Sequence, residues 1–437
     1  MAPHDDQAPR TGSLTRRLAR TVCATIVAFL LGPYHGLVSG DVVLTLSEAE
    51  QIALETDPIV AASRVRSAAL EDDAVADGQL PDPKLRTGLY NLPLDSFSVR
   101  QEASTQFRVG VQQAFPRGDT LRYKQKRTRW RARAEASQAG VAERRLVRAV
   151  RESFLEIHYQ LQAERMVQES RSLFAGLVDI TEFQYGSGRV SQQDVLRAQL
   201  ELSQLDDRMT RILNAGEAAR ANLSEWIDEA AWRPLAVVFP ELPSLPEKAI
   251  LENGLDQHPE IIAQSAQIAA TKEAVNIARE QYKPGFGVGA EFRKRFGDDP
   301  NGSNRADMAA VMLTMDLPLF VEKRQDRRLA ASEKQADAAH LDRANIHRIL
   351  RRTLAREYAN WQRLGEREAL FRTQLIQEAS ANAEASLSAY QSGTTEFTTL
   401  MRARITELDI RLRAHRVRVD RAKAQARLLY LVAGDKE

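Results

Sequence analysis

Shifted by 201 positions, this sequence lands on itself. Leu54 meets Leu255, Pro58 meets Pro259, Ala62 meets Ala263, Pro83 meets Pro284 and Gly88 meets Gly289, with no gap. Further along, at a shift of 205, Tyr185-Gly-Ser-Gly188 meets Tyr390-Gln-Ser-Gly393. An internal repeat must be read before anything else, because each copy then follows one supersecondary plan. The unit is about half of the 437 residues, far longer than a solenoid repeat. Each copy ends in a long proline-free span: none lies between Pro116 and Pro234, and none after Pro318. Proline breaks helix interiors, so these spans read as long helices. The unit is a duplicated hairpin of long helices with short elements between its segments.

Composition agrees. Arg, Ala, Glu, Gln and Leu dominate, as in long helices and coiled coils. The net charge of +2 makes no global case for nucleic acid. No run of about 20 apolar residues occurs, so no transmembrane helix is expected in the mature chain. The N-terminus differs. Arg16, Arg17 and Arg20 precede the apolar run from Val22 to Leu31, then Gly32, Pro33 and the small residues of Val38-Ser-Gly40. That is the anatomy of a secretory signal, with cleavage expected near Gly40. Cys23, the only cysteine, falls inside it. The mature chain is then expected to hold no disulfide and no lipid anchor.

Four boundaries follow. Residues 1–40 are the signal, 41–226 the first repeat, 227–246 a proline-rich linker and 247–437 the second repeat. In the first repeat Ser47 is expected to cap a helix, with Glu50 completing a capping box. Helical spacing runs to about Gln79, and Pro81 and Pro83 stop it. Next the period changes to two. Phe107, Val109 and Val111 alternate with Gln106, Arg108, Gly110 and Gln112, which predicts a strand with one apolar and one polar face. Strands are expected at about 84–92 and 104–114, and again at about 285–294 and 306–317. There Phe286, Val288, Ala290 and Phe292 alternate with glycines and charges, and Ala309, Val311, Leu313 and Met315 repeat the device. Each strand is about ten residues, enough to cross a bilayer when tilted.

The spans after the two Tyr-x2-Gly motifs carry a period of 3.5. Val195, Ala198, Leu202, Leu205, Met209, Ile212, Gly216, Ala219, Leu223 and Trp226 fall at alternating steps of three and four. Leu400, Ala403, Ile410, Ala414, Val417, Ala424, Leu428 and Leu431 hold the equivalent places, interrupted by Glu407 and Arg421. Such spacing makes a coiled-coil seam. The Gly-containing motifs are then hairpin tips, at 185–190 and 390–395.

A secreted chain with four amphipathic strands cannot span lipid alone. A membrane sheet must close on itself, and barrels need at least eight strands. Several chains must share one barrel, with helical hairpins projecting roughly 100 Å to one side.

These residues resemble the TolC-type outer-membrane factors of Gram-negative efflux systems. The resemblance rests on the duplicated helix-strand-strand-helix plan, on Leu54-x3-Pro58, and on Tyr185-x2-Gly188 and Tyr390-x2-Gly393. It implies a mainly α fold with a small β part: a homotrimer with a shared 12-strand barrel and a tunnel of helical hairpins. It also implies a passive exit duct in outer-membrane lipid, its helical part in the periplasm. The implied partners are a periplasmic adaptor (a membrane fusion protein) and an inner-membrane RND-type pump. Asn91-Leu-Pro-Leu-Asp-Ser-Phe97, Thr105-Gln106 and Val109-Gly-Val-x-Gln113-x-Phe-Pro-Arg-Gly118 look like the heavy-metal, CzcC-like branch. The alternatives are a duct for drug efflux or type I protein secretion, and a secreted coiled-coil scaffold without a pore.

The family's gate lies at the tips. Position by position, Tyr390 matches the gate tyrosine and Asp194 its carboxylate partner; the plain reading makes both ordinary packing and capping residues. Two acidic gate positions of the family fall on Thr399 and Arg402. Neither is acidic, so no cation-binding ring is expected there. His4, His35, His158, His258, His340, His347 and His415 show no spacing of three or four, so no zinc-binding helical face is expected. The basic run Arg122 to Arg133, with Trp130 inside it, follows a strand directly and suits lipid headgroups or a solvated helix face. No nucleophile-base pair, phosphate loop or paired-carboxylate pattern occurs. No enzyme activity and no cofactor are expected.

Overall fold

The computed structural model describes residues 43–432. The segment expected to be a signal, with Cys23 in it, lies outside the described residues. The first copy runs α1 (Leu46–Thr56), α2 (Pro58–Asp77), β1 (Lys84–Tyr90), β2 (Gln106–Phe115), α3 (Thr120–Gly186) and α4 (Gln192–Ile227). The second runs α5 (Lys248–Gly254), α6 (Pro259–Glu280), β3 (Gly285–Arg295), β4 (Met308–Asp316), α7 (Gln325–Leu370), α8 (Ile376–Gln391) and α9 (Phe397–Leu429). A π turn, Phe371–Leu375, carries α7 into α8 without a break.

The aligned prolines have a common reason. Pro58 and Pro259 each open a helix, where proline's fixed φ fits and its missing N–H is no loss. The residue before each caps the helix with its side chain. Asp57 Oδ1 accepts the Val60 amide at 2.8 Å, and His258 Nδ1 accepts the Glu260 amide at 3.3 Å. At the chain's first described helix the cap differs from the sequence expectation. Thr45, not Ser47, accepts the Glu48 amide at 3.3 Å. Glu50 instead pairs with Arg151 of α3 at 2.7 Å, so no capping box forms. The helical stretch expected to reach Gln79 unbroken is split at Asp57, which sits in extended conformation as a residue before proline prefers.

The four strands form one antiparallel sheet in the order β1-β2-β3-β4. The central pair, β2 with β3, joins the two copies. β1 and β4 are left as edges. Beside the sheet, α2 packs on α3, α3 on α6 and α6 on α7. Beyond them α3 pairs with α4 and α9, and α9 with α7 and α8. Every seam position from Val195 to Trp226 is buried or half-buried, whereas Leu196, Leu200 and Leu213, off the seam, are exposed. A 3.5-residue repeat keeps one narrow face inward, and these burials follow it.

Each copy builds its own core where its short and long helices meet. In the first, Leu44, Leu46, Val150, Phe154, Ile157, Leu223 and Leu235 pack together. In the second, Leu251, Leu255, Ile261, Leu350, Leu354, Leu428 and Leu431 do so. The linker lies against the helices: Leu44 bridges to Leu235, and Phe239 and Leu242 pack on Leu155 and Val419.

Candidate functional site

Three places carry chemistry that the fold alone does not need. The first is the sheet. Its register puts Leu85, Val111, Ala290 and Val311 in one row. Thr87, Val109, Phe292 and Ala309 form the next. Side chains alternate across a sheet, so one face is almost wholly apolar from edge to edge. It is also bare: Val311 is 81% exposed, Leu85 69% and Leu313 68%. A contiguous apolar face of this size marks a surface that something apolar covers. The opposite face is charged. Arg86, Gly110, Glu291 and Ala310 share one row, and Gly88, Arg108, Arg293 and Met308 the next. Arg293 donates to Glu291 at 2.5 Å, and Arg108 Nε lies 3.8 Å from the same carboxylate. The Arg108 guanidinium also sits 4.1 Å over the Tyr90 ring, a cation–π contact.

The second place is the pair of tips. Helix α3 ends at Gly186 with Gly188 at φ +74°, and α8 ends at Gln391 with Gly393 at φ +72°. At each end the helix closes in the same way. Arg189 N–H donates to Gln184 O at 2.9 Å, and Gly188 N–H to Tyr185 O at 2.9 Å. Thr394 N–H donates to Ala389 O at 2.9 Å, and Gly393 N–H to Tyr390 O at 3.0 Å. This is the Schellman closure, whose left-handed residue is glycine because a Cβ is strained there. It explains why the glycine recurs at both tips.

The two tyrosines nevertheless do different things. Tyr185 is 48% exposed. Tyr390 is half-buried beside Phe397, their rings 5.6 Å apart, and its hydroxyl donates to Gln184 Oε1 at 2.7 Å. That bond ties the second hairpin to the first. Burial, with the Asp194 carboxylate close by, holds the Tyr390 phenol above its ordinary pKa. Asp194 accepts no hydrogen bond from Tyr390. Its carboxylate accepts from Ser191 N–H at 3.1 Å and Ser191 Oγ at 2.7 Å, as half of a capping box opening α4. Tyr390, Gly188, Asp194 and Gly393 line one open cleft with Arg189, Arg197 and Glu396. Thr399 and Arg402 are exposed on the first turns of α9. Gln184, the actual partner of Tyr390, carried no sequence signal.

The third place brings together two histidines that spacing had set aside. His158 of α3 and His415 of α9 have ring centroids 5.6 Å apart. Tyr159 stacks on His415 at 5.6 Å, and Phe239 of the linker meets His158 edge-on at 5.2 Å. His158 Nε2 lies 3.4 Å from Val237 O; its Nδ1 and His415 Nε2 are buried without a partner. Burial, then the neighbouring His158 and Arg418, pushes His415 down to about 4. Burial also lowers His158, with Arg418 and Arg165 adding to it. Both rings are therefore neutral at pH 7, and they latch the linker to α3 and α9. Among the described residues no three ligating side chains group as a metal site would need.

Residues 250–434 match the family described as Outer membrane efflux protein. A curated relative, the cobalt-zinc-cadmium resistance protein CzcC of Cupriavidus metallidurans, is 23% identical over 304 residues, 68% of each chain. Among solved structures, CusC superposes with a TM-score of 0.75 at 14% identity, covering 90% of this chain and 93% of that one. The outer membrane protein VceC from Vibrio cholerae gives 0.74 at 16% identity, covering 90% and 97%. The chain thus shares its fold with these outer membrane proteins, and its second repeat matches the outer membrane efflux protein family.

Proposed function

We propose that this chain is one third of an outer-membrane exit duct, and that heavy metals are its cargo. The observation that carries the reading is the sheet: four strands, two unpaired edges, one bare apolar face and one charged face. Four strands cannot curl into a barrel, and lipid tolerates no open edge. Three copies give twelve strands, pairing β4 of one chain with β1 of the next. The apolar face then meets lipid and the charged face lines water. A scaffold without a pore would leave the apolar face uncovered. The helical hairpins extend into the periplasm, where an adaptor and an inner-membrane pump of the RND type would deliver substrate. Metals are favoured by the likeness to CzcC. Purified in mild detergent, the protein is expected to have three times the chain mass by light scattering and to conduct ions in planar bilayers. A monomer at full helicity would contradict the reading.

The tips serve as the gate in this proposal. Tyr390 holds the second hairpin against Gln184, while Asp194 keeps the start of α4 wound beside it. Tyr390→Phe with Asp194→Ala removes both ties. A hydrogen bond to a neutral group contributes about 0.5–1.5 kcal/mol net, and a cap about 1 kcal/mol. Conductance of the trimer is expected to rise without loss of trimer, since barrel and seams are untouched. Arg402 repels divalent cations near the mouth, so Arg402→Asp is expected to introduce blockade by them. Unchanged conductance in the double variant would make these positions structural only.

A further inference from the structure

We infer that the charged face of the sheet makes the pore a filter that favours anions and holds back free divalent cations. This rests on the reading of the sheet as one third of a closed barrel. Apart from the strand-end residues Lys84 and Asp316, that face carries Arg86, Arg108, Arg293 and Arg295 against one carboxylate, Glu291. Glu291 is already committed: Arg293 donates to it at 2.5 Å, and Arg108 Nε lies 3.8 Å away. Among the described residues the guanidinium groups of Arg86 and Arg295 pair with no carboxylate; Arg295 spends one guanidinium N–H on Ala103 O at 3.2 Å, and its backbone N–H donates to Asp307 at 3.3 Å. Lys84 and Asp316, at the strand ends on the same face, offset each other in sign.

The positive charge is held in place, not merely present. Tyr90 lies under Arg108. Gly110, two residues along the same strand, is a tight place for a side chain: a Cβ would come 3.1 Å from Ala290 O and 3.3 Å from Glu291 Cβ. Gly88, Gly287 and Gly289 lie on the same face. Small residues there leave the bore open while long guanidinium arms reach into it. Three copies repeat the set around the axis. Fixed rings of arginine select anions, and low-dielectric walls focus their potential within the bore.

The consequence concerns direction as well as choice. Flux from a pump can push metal outward through a positive lining, and anionic metal complexes pass it readily. Free dications outside the cell meet a barrier to return. The test is the reversal potential of the purified trimer in a neutral planar bilayer under a potassium chloride gradient. Chloride is expected to permeate several-fold better than potassium. Arg86→Gln with Arg293→Gln should bring the ratio close to unity or below. Glu291→Gln should move it the other way, further towards chloride, which separates charge from misfolding. A cation-selective parent channel, or reversal potentials that no variant shifts, would overturn the inference while leaving the duct intact. A trimer that never conducts would remove the duct reading, and this inference with it.

Discussion

A Val311→Arg chain is expected to fail to assemble in the outer membrane while a chain altered in the nearby hairpin loop assembles normally. Val311 lies mid-strand in β4, in the row that runs through Ala290 and Val111 to Leu85. It is among the barest of the apolar side chains, 81% exposed. On a lipid face an arginine near the bilayer midplane costs about 2–4 kcal/mol, and a trimer incurs that cost three times over. The control is Asp299→Asn. Asp299 sits in the turn between β3 and β4, 3.9 Å from Arg305 with its side chain 45% exposed. An exposed loop change of this kind stays within about 0.5 kcal/mol. Trimer recovered from membrane fractions reads both. Equal recovery would mean that this row does not meet lipid.

The second large effect is an acid sensitivity set by His158 and His415. Neutral in the fold, His415 takes up a proton only near pH 4, whereas an unfolded histidine does so near pH 6.5. Between those values the unfolded chain binds more protons, so stability falls as pH falls and levels off below about 4. The loss should be about 2 kcal/mol per chain by pH 5 and roughly 3 kcal/mol by pH 4. Burial opposes the charge on Glu156, but Lys423 and Arg416 outweigh it and hold its pKa below the ordinary value. The window from pH 6.5 to 5 therefore separates the histidines from Glu156. Melting temperatures across it should fall in the parent. They should fall less steeply in His415→Phe, which keeps a ring on Tyr159 and cannot titrate; His158 and His258, also lowered by burial, retain part of the slope. The same slope in both proteins would place the sensitivity elsewhere.

What could be seen in the sequence was whatever has a period. The heptads from Val195 to Trp226 became a buried seam because helical spacing is local. The strands showed themselves by alternation, and even the charged face could be read as the residues that alternate with the apolar ones. What could not be seen were meetings across the chain. Register decides that Arg108 lies beside Glu291, and no single strand carries its register. His158 and His415 sit on helices far apart in sequence, so a search for spacings of three or four had no means of pairing them. Asp194 could be placed at the tip but not assigned its bond. Its nearest hydroxyl, Ser191, is three residues away, and that local offer prevailed over Tyr390. The cap at Thr45 was missed by two residues for a similar reason: Thr45, Ser47 and Glu50 all fit a helix start, and packing of Leu44 and Leu46 chose among them.

The π turn at Phe371–Leu375 has a consequence for symmetry. Helix α3 has 67 residues, and α7, the π turn and α8 together match it. The duplicated arms are thus equal in residue count, and a wall of six such arms would be nearly sixfold. But a π turn takes in about one residue more than an α turn, which rotates everything beyond it by roughly 100° about the helix axis. Beyond that point the two arms present different faces to their neighbours. Tyr185 points to open solvent while its repeat partner Tyr390 turns inward to Gln184. In the proposed trimer the pseudo-sixfold order of the wall would therefore end at one identifiable turn, and below it only the threefold axis would remain.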